Sequence, residues 1–265
     1  MQELTKRTLS GACIGPIVLL LFWFLPPRLL LLFLFIVACA ATYELLSISG
    51  TRETLLVGAL ATLSMLPLYG SSPYGFLIWL MFSPLVYLVF RMIKSSEESP
   101  GLNEEIARHV VVLLAAQLFI VLPLFYFYRL KELHQYLPVI LLLAIWASDT
   151  GAYFIGKRFG KKRLAPRISP KKTYAGLLGA LLGAAVVTFA FGAVLGMTMA
   201  ESIFVGAVVG ALGQLGDIFE SIAKRVCNVK DSSTLIPGHG GILDRIDSFL
   251  FSTPFVFHYL NGFVK

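Results

Sequence analysis

The amino-acid sequence predicts an all-α, polytopic integral membrane protein. Of the 265 residues, 57% are hydrophobic and only 14% are charged, and the mean hydropathy is +0.80. Apolar runs of roughly 20 residues, the length that an α-helix needs to cross the hydrocarbon core of a bilayer, recur almost from one end of the chain to the other. Once these runs are assigned, too few residues remain for a large soluble domain.

We predict about nine transmembrane helices from these runs. The first run follows Lys6 and Arg7 and superficially resembles a signal peptide, but no convincing cleavage site follows it. Pro26 and Pro27 lead directly into the next run, so we treat the first run as a membrane helix. The predicted helices span roughly residues 9–25, 29–48, 54–70, 76–92, 109–128, 137–156, 174–197, 202–225 and 247–263.

The distribution of positive charge orients these helices. Cytoplasmic loops of membrane proteins are enriched in Lys and Arg. With the N-terminus inside, the 22 Lys and Arg residues all lie in inner segments except Arg28, Arg129, Lys131 and Lys265. Two loops are rich in cations: the first basic loop, with eight from Lys157 to Lys172, and the second basic loop, with Lys224, Arg225, Lys230 and Arg245. We therefore expect a multi-pass protein of the inner, cytoplasmic membrane, with both basic loops facing the cytoplasm. A net charge of +7 between membrane spans favours anionic lipids and substrates as partners, and no nucleic acid.

Glycine is frequent in the predicted seventh and eighth helices. Gly179 and Gly183 are four residues apart, and so are Gly206 and Gly210. Small residues at this spacing allow membrane helices to approach closely. Either they serve packing alone, or their packing also holds the carboxylates of the eighth helix in place.

Acidic residues are paired at the predicted inner ends of the last two helices. Asp217 and Glu220 are three residues apart, and Asp244 and Asp247 repeat this spacing, which places each pair on one helix face. Mg²⁺ prefers a few carboxylate oxygens together with water and substrate phosphate. We therefore predict that Asp217, Asp244 and Asp247 bind Mg²⁺, and a second cation is left open. The alternative is a set of interfacial ion pairs between these acids and Lys224, Arg225 and Arg245.

Two further segments have the composition of phosphate-binding sites. The turn-rich loop 237–241 frees backbone N–H groups that can surround a phosphate. Its His239 has no His or Cys neighbour, which argues against zinc. The segment 169–173 places hydroxyls, Lys171 and Lys172 next to a helix start, where N–H groups and the helix dipole also favour phosphate.

Two acidic residues lie inside apolar runs. Asp149 is a functional candidate, because an ionisable side chain at membrane depth is costly to keep. Glu44, in the second predicted helix, is interpreted as a structural hydrogen-bond partner.

The segment from Ser221 to Asp247 resembles the signature of the phosphatidate cytidylyltransferases, also called CDP-diacylglycerol synthases. The family pattern contains a Ser and Lys-Arg, then Lys-Asp, then His-Gly-Gly, and then Asp-Arg and a further Asp. The matching residues are Ser221, Lys224, Arg225, Lys230, Asp231, His239, Gly240, Gly241, Asp244, Arg245 and Asp247. The stretch after Asp149 and the segment 169–173 also resemble the family.

The resemblance implies transfer of a cytidylyl group from CTP to phosphatidic acid, giving CDP-diacylglycerol and pyrophosphate with a divalent metal. It implies catalytic roles for Asp217, Asp244, Asp247, Lys224 and Arg245. Substrate binding is expected from Lys171, Lys172, Ser221, Arg225, Lys230, Asp231, His239, Gly240 and Gly241. The chain would then comprise N-terminal membrane helices (1–75), middle helices that are a candidate dimerisation region (76–140) and a C-terminal catalytic membrane region (141–265).

Other functions remain open from the residues alone. A CTP-dependent kinase or a cytidylyltransferase acting on another lipid would use the same polar groups. A transporter for an anionic solute would also suit charged residues within spans and Gly-interrupted helices, although the polar residues cluster at one membrane face and no inverted repeat is evident. The small-residue faces permit a homodimer.

Overall fold

The computed structural model describes residues 15–51, 53–70, 73–94, 101–235 and 240–263. These residues are almost entirely helical, which confirms the predicted all-α class. The N-terminal helices are α1 (Gly15–Phe24), α2 (Pro27–Ile48), α3 (Thr54–Thr62), α4 (Met65–Tyr69), α5 (Pro73–Lys94), α6 (Leu102–Ala116) and α7 (Leu122–Leu133). A π-helical stretch, Gln117–Val121, makes α6 and α7 continuous.

The C-terminal half contains longer helices and a small antiparallel hairpin. The helices are α8 (Leu137–Phe159), α9 (Tyr174–Gly192), α10 (Met199–Val226), the short α11 (Leu243–Ile246) and α12 (Phe249–Phe263), with a 3-10 turn at Ala193–Leu195. Between α8 and α9, β1 (Arg163–Ala165) pairs with β2 (Ser169–Thr173). This basic hairpin lies in the first basic loop, where the sequence analysis predicted no strand.

Six stretches of the described residues are long and apolar enough to cross a membrane. They are Pro27–Ile48, Tyr74–Lys94, Leu102–Leu133, Leu137–Phe159, Tyr174–Leu195 and Met199–Val226. The other predicted spans coincide with shorter helices, namely α1, α3 with α4, and α12. The multi-span architecture is therefore confirmed, whereas the count of nine stays a prediction, and the start of the first span lies outside the described residues.

Helices α8, α9 and α10 pack against one another at short backbone distances. A Cβ atom added to Gly183 of α9 would overlap the backbone of Ala147 in α8. One added to Gly210 of α10 would lie 2.6 Å from the carbonyl oxygen of Ala180 in α9. The glycine spacing therefore does permit the close helix approach predicted from the sequence.

Local sequence explains where α9 and α10 begin. The Thr173 side chain caps α9 by accepting a hydrogen bond of 3.0 Å from the backbone N–H of Gly176. Thr198 and Glu201 form a reciprocal capping box at the start of α10. Both devices satisfy N–H groups that a helix start leaves without partners. Asp217 and Glu220 lie in the last third of this 28-residue helix, far from the capping box.

The N-terminal helices pack directly against the segment that carries the family-like signature. Helix α2 contacts α3 and α7 and also reaches α11, and α12 packs against α7 and α10. On α2, Leu30 and Leu34 are buried in the shared apolar core. Residues far apart in the sequence, such as those of α2 and α11, are therefore brought into contact.

Candidate active site

Helix α10 places acidic and basic side chains on one face, turned towards α11. Asp217, Glu220 and Lys224 are three and four residues apart, so the helical period aligns them. Glu220 is only 4% exposed, and its Oε2 atom lies 2.6 Å from Nζ of Lys224. A buried carboxyl group of this kind needs a hydrogen-bond partner, and Lys224 supplies one.

Two carboxylates of α10 and one that follows α11 lie close together. Asp217, Glu220 and Asp247 each offer an oxygen that lies within 4.8 Å of the others; we call these residues the acidic trio. Helix α10 approaches Asp247 closely at Gly216, where an added Cβ would overlap the carbonyl oxygen of Asp247. The carboxylate of Asp247 is thereby held next to those of Asp217 and Glu220. Keeping all three carboxylates ionised is therefore costly unless a cation joins them.

The sequence-based prediction named Asp244 rather than Glu220 as the third cation ligand. The structure places Asp244 beside the trio, where Oδ1 accepts a hydrogen bond of 2.5 Å from Lys224. Its Oδ2 accepts hydrogen bonds from the backbone N–H groups of Gly241, at 2.8 Å, and Ser232, at 3.1 Å. Burial alone would raise the pKa of Asp244, but hydrogen bonds with Glu220, Lys224 and Gly241 hold it well below its usual range. Asp244 is thus an ionised anchor, and its role as a metal ligand stays a prediction.

The basic hairpin contributes a cation to the acidic trio. Nζ of Lys172 lies 2.9 Å from Oδ2 of Asp217 and donates to the carbonyl oxygen of Gln214 at 3.0 Å. The Ser221 hydroxyl donates to Oδ1 of Asp217 at 3.3 Å. Asp149 joins the same cluster, because its Oδ1 accepts from Nε2 of Gln214 at 3.5 Å. The structure therefore brings together Lys172, Ser221 and Asp149, which the sequence singled out separately.

The other predicted phosphate-binding cations are exposed to solvent. They are Lys171, Arg225, Lys230 and Arg245. Arg225 donates to the carbonyl oxygen of Val229 at 3.2 Å, and Arg245 forms no ion pair with any residue that the structure describes. The interfacial ion pairs considered as an alternative are thus observed for Lys224 but, among these residues, not for Arg225 or Arg245. Arg245 is available for an anionic ligand.

The remaining predicted substrate-binding residues belong to the loop before α11. Asp231 is exposed, and His239 lies outside the described residues. Gly240 has a positive φ of 77°, a conformation that glycine adopts without strain. The backbone N–H of Gly241 is directed to Asp244, so in this arrangement it orients a carboxylate and is not free for a phosphate.

An apolar cavity of about 620 Å³ opens beside Arg245. Phe33, Phe127, Trp146 and Phe249 are among its lining residues, and Arg245 is the charged residue within the described part of the lining. Pockets that bind small organic molecules commonly have volumes of roughly 300–1,000 Å³. Arg245 therefore lines an apolar space among the helices and directly follows Asp244 in the sequence.

Two acidic residues contribute more than the sequence-based predictions gave them. Glu220 was paired with Asp217 on one helix face but was not named among the cation ligands, although the structure brings it into the acidic trio. Glu44 is a hydrogen-bond partner, as predicted, but its donors belong to the loop around Asp244, 188 to 199 residues away. No local pattern around Glu44 indicates this contact.

The acidic trio fits a divalent cation with oxygen ligands. Oε1 of Glu220 is buried and has no hydrogen-bond partner among the described residues, so a carboxylate oxygen remains for a ligand bond. Three carboxylate oxygens leave coordination positions for water and phosphate oxygens, as Mg²⁺ prefers. Lys172 and Lys224 border the trio and balance part of its negative charge. The arrangement is suited to binding a metal together with phosphate groups.

The chain is similar to known proteins over nearly its whole length. The model of the family described as "Cytidylyltransferase family" matches residues 5–263. Similar proteins include the phosphatidate cytidylyltransferase of Bacillus subtilis (strain 168), which is 32% identical over 99% of this chain and 100% of its own length. The phosphatidate cytidylyltransferase of Aquifex aeolicus (strain VF5) is 33% identical, with 96% of this chain and 90% of that protein covered. The Thermotoga maritima protein of the same name is 29% identical over the full length of both chains.

Proposed function

Because the chain belongs to the cytidylyltransferase family, we propose that it is a membrane nucleotidyltransferase that transfers the cytidylyl group of CTP to phosphatidic acid. The products are CDP-diacylglycerol and pyrophosphate, and the reaction is a step of phospholipid biosynthesis. Similarity to phosphatidate cytidylyltransferases over essentially the full chain supports this substrate pair over another lipid acceptor or a transported anion.

The position of Arg245 is the observation that carries this proposal. The two substrates of the proposed reaction differ in polarity, because CTP is polar throughout whereas phosphatidic acid has long acyl chains. Arg245 lines the apolar cavity and is adjacent in sequence to Asp244, which anchors the polar cluster. A lipid whose chains remain in apolar surroundings can therefore present its phosphate to the same groups that receive a nucleotide.

The reaction requires positioning more than acid–base chemistry. An oxygen of the phosphatidate phosphate attacks the α-phosphorus of CTP and forms the new P–O bond. The bond from the α-phosphorus to the oxygen that bridges to the β-phosphate breaks, and pyrophosphate leaves with that electron pair. Phosphatidate is already ionised, so no side chain has to remove a proton. The protein must hold two anions together, align them and stabilise the charge of the transition state.

The cations of this site divide into two groups. Lys172 and Lys224 form ion pairs with the acids and orient them. Arg245 is unpaired among the described residues, and its planar guanidinium can hold a phosphate through two parallel hydrogen bonds. We assign Arg245 to the transferring phosphate. The remaining phosphates of the substrates are assigned to Lys171, Arg225, Lys230 and His239.

We assign Mg²⁺ to the acidic trio of Asp217, Glu220 and Asp247. The unpartnered oxygen of Glu220 and the mutual proximity of the three carboxylates support this assignment. When bound there, the cation supplies positive charge that offsets the repulsion between the two substrates and the charge of the departing pyrophosphate. Asp244 holds Lys224 and the loop before α11 in place beside it.

We place the protein in the inner membrane with this site on the cytoplasmic side. The concentration of Lys and Arg in the two basic loops supports that orientation. The acidic trio lies at the end of α10 that leads into the second basic loop, and Lys172 belongs to the first. Cytoplasmic CTP would then reach the site directly.

Purified protein in detergent or nanodiscs tests this function. CTP labelled at its α-phosphate should transfer the label to the lipid fraction when phosphatidate and Mg²⁺ are present, with one pyrophosphate released for each lipid formed. A CTP-dependent lipid kinase would instead transfer label from the γ-phosphate and release CDP. Absence of α-label transfer by a monodisperse wild-type protein at saturating substrates would contradict the proposal.

A further inference from the structure

Glu44 of α2 is a buried carboxylate that holds two parts of the loop before α11. Oε1 accepts hydrogen bonds from the Ser233 hydroxyl at 2.7 Å and from the backbone N–H of Ile242 at 3.0 Å. Oε2 accepts from the Ser232 hydroxyl at 2.9 Å and from the backbone N–H of Leu243 at 2.8 Å. Glu44 is 4% exposed, and these bonds span 188 to 199 residues of sequence.

No cationic side chain forms an ion pair with Glu44 among the described residues, so these four donors are what compensate its burial. Hydrogen bonds to an ionised acceptor are shorter and stronger than those between neutral groups. The loop also accommodates the carboxylate closely, because a Cβ atom on Gly241 would overlap Oε2 of Glu44 and the hydroxyl of Ser232. The contact is therefore specific in its geometry.

The same loop also contacts Asp244, which lies beside the acidic trio. The hydroxyl of Ser232 lies 2.9 Å from Oε2 of Glu44 and 2.9 Å from Oδ2 of Asp244. A hydroxyl has a single hydrogen to donate, so Ser232 serves one carboxylate at a time and links the positions of both. The backbone N–H groups that Glu44 holds belong to Ile242 and Leu243, the two residues immediately before Asp244.

From Asp244 the linkage continues into the acidic trio. Lys224 contacts Oδ1 of Asp244 at 2.5 Å and Oε2 of Glu220 at 2.6 Å, and Glu220 is a member of the trio. Groups that orient metal ligands from outside the ligand set typically change metal affinity or activity by about 10–100-fold when they are removed. The chain of contacts therefore links Glu44 to the carboxylates that are proposed to hold the cation.

We propose that Glu44 is a positioning residue for the reaction: through Ser232, Ile242 and Leu243 it fixes Asp244 and the residues that follow it relative to the acidic trio. This inference rests on the proposed function. It also assigns the N-terminal helices a part in the active site, since Glu44 of α2 accepts hydrogen bonds from both ends of the loop before α11.

The test compares Glu44→Gln with two serine variants. The Gln side chain keeps the size of Glu44 but replaces one acceptor oxygen by an NH₂ group facing donors. Ser232→Ala removes the hydroxyl shared with Asp244. Ser233→Ala removes a donor to Glu44 that has no contact with Asp244, so it is the matched control. For each monodisperse variant, kcat, the Mg²⁺ concentration at half-maximal rate and the melting temperature are measured.

We expect Glu44→Gln and Ser232→Ala each to reduce kcat per folded molecule and to raise the Mg²⁺ concentration at half-maximal rate. For each variant, the two changes together should lower the rate at sub-saturating Mg²⁺ by about 10–100-fold. Ser233→Ala should stay within about threefold of wild type, since the other three donors to Glu44 remain. A purely structural role would lower the melting temperature and leave both kcat per folded molecule and the Mg²⁺ midpoint unchanged, which overturns the inference. Equal effects of the two serine variants would also overturn it, because Asp244 would then not be the route.

Hydrogen exchange gives a readout that does not depend on turnover. In Glu44→Gln the amides of Ile242 and Leu243 should exchange faster, while those of α9 and the middle of α10 keep their wild-type rates. Unchanged exchange at these two amides contradicts the inference. If wild-type protein proves inactive with CTP and phosphatidate, the proposed function fails on its own, and the exchange experiment still decides whether Glu44 positions this loop.

Discussion

Nζ of Lys172 lies 2.9 Å from Oδ2 of Asp217. This ion pair joins the basic hairpin to the acidic trio, although no sequence pattern in either segment predicts the contact. Lys172 also donates to the carbonyl oxygen of Gln214 in α10, so its ammonium is fixed at two points. The hairpin therefore contributes a cation to the acidic trio and is more than a charged loop at the membrane surface.

We predict that Lys172→Ala lowers turnover by about 10–100-fold, because Asp217 loses the group that orients it and the site loses a positive charge. Lys161→Ala is the matched control, since Lys161 is an exposed cation on the same loop. It should retain activity near that of wild type. The rates are measured with CTP and phosphatidate at saturating Mg²⁺. Equal losses in both variants would show that only the overall charge of the loop matters.

The acidic trio predicts which substitutions weaken metal binding. Glu220→Gln and Asp247→Asn should each reduce the affinity for Mg²⁺ or Mn²⁺, measured by isothermal titration without substrates, by about tenfold or more. Asp244→Asn should reduce turnover by about 10²–10³-fold, as loss of an essential electrostatic group does, with a smaller change in metal affinity. The reverse order of metal affinities would favour Asp244 over Glu220 as the third ligand.

Two glycines of α10, three residues apart, test how Asp247 reaches the trio. A Cβ on Gly216 would overlap the carbonyl oxygen of Asp247, whereas one on Gly213 would meet only ordinary contacts of 3.7 Å and 3.8 Å with Ser248. Overpacking costs about 1–3 kcal/mol, so Gly216→Ala should lower the melting temperature and weaken metal binding. Gly213→Ala should preserve both, because Ala in a helix interior is favoured over Gly by about 0.5–1 kcal/mol. Identical behaviour of the two variants would exclude the close approach at Gly216.

The sequence was sufficient to predict the helices and part of the site, because both depend on local periodicity. Backbone polar groups in a bilayer must be satisfied within the same segment, so long apolar runs form helices. The spacing of Asp217 and Glu220 likewise follows from the period of a single helix. Predictions of this kind need no knowledge of how segments pack.

The remaining features of the site depend on contacts between distant segments. The hydrogen bonds of Glu44 reach residues 188 or more positions away, and no pattern near Glu44 identifies them. The spacing of Asp244 and Asp247 predicts a ligand pair, and this assignment stays a prediction. The same spacing gives no indication of the hydrogen bonds that Asp244 accepts from the loop before α11, because they depend on the turn at Gly240, which has a φ of 77°. Such outcomes are decided by tertiary packing, which a single sequence does not display.

The proposed orientation predicts the accessibility of the two ends of α8. Lys162 follows α8 and Gln135 precedes it, and both are exposed. In a cysteine-free background, Gln135→Cys should react with a membrane-impermeant thiol reagent in intact cells, and Lys162→Cys should react only after lysis. Labelling at Lys162 in intact cells, with protection at Gln135, would reverse the orientation and place the site away from cytoplasmic CTP.

Arg245 is expected to contact the transferring phosphate, and the chemistry of its side chain makes this testable. Arg245→Lys keeps the positive charge but loses the planar fork that binds two phosphate oxygens. Hydrogen bonds to charged groups contribute about 1.5–3 kcal/mol, so kcat/KM should fall by about tenfold or more. Arg245→Ala should cause a larger loss. Arg167→Lys, at an exposed position of the basic hairpin, controls for a general effect of exchanging Arg for Lys.

The comparison of the two Arg245 variants separates geometry from charge. Since Arg245 has no ion-pair partner among the described residues, its substitution removes no ion pair observed there, and a loss of kcat/KM at sub-saturating CTP and phosphatidate reflects its contact with substrate. Near-complete activity of Arg245→Lys with loss in Arg245→Ala would mean that charge alone is required and that no bidentate contact forms. Wild-type kcat/KM in both variants would remove Arg245 from the site, and the apolar cavity beside it would no longer indicate where the lipid phosphate enters.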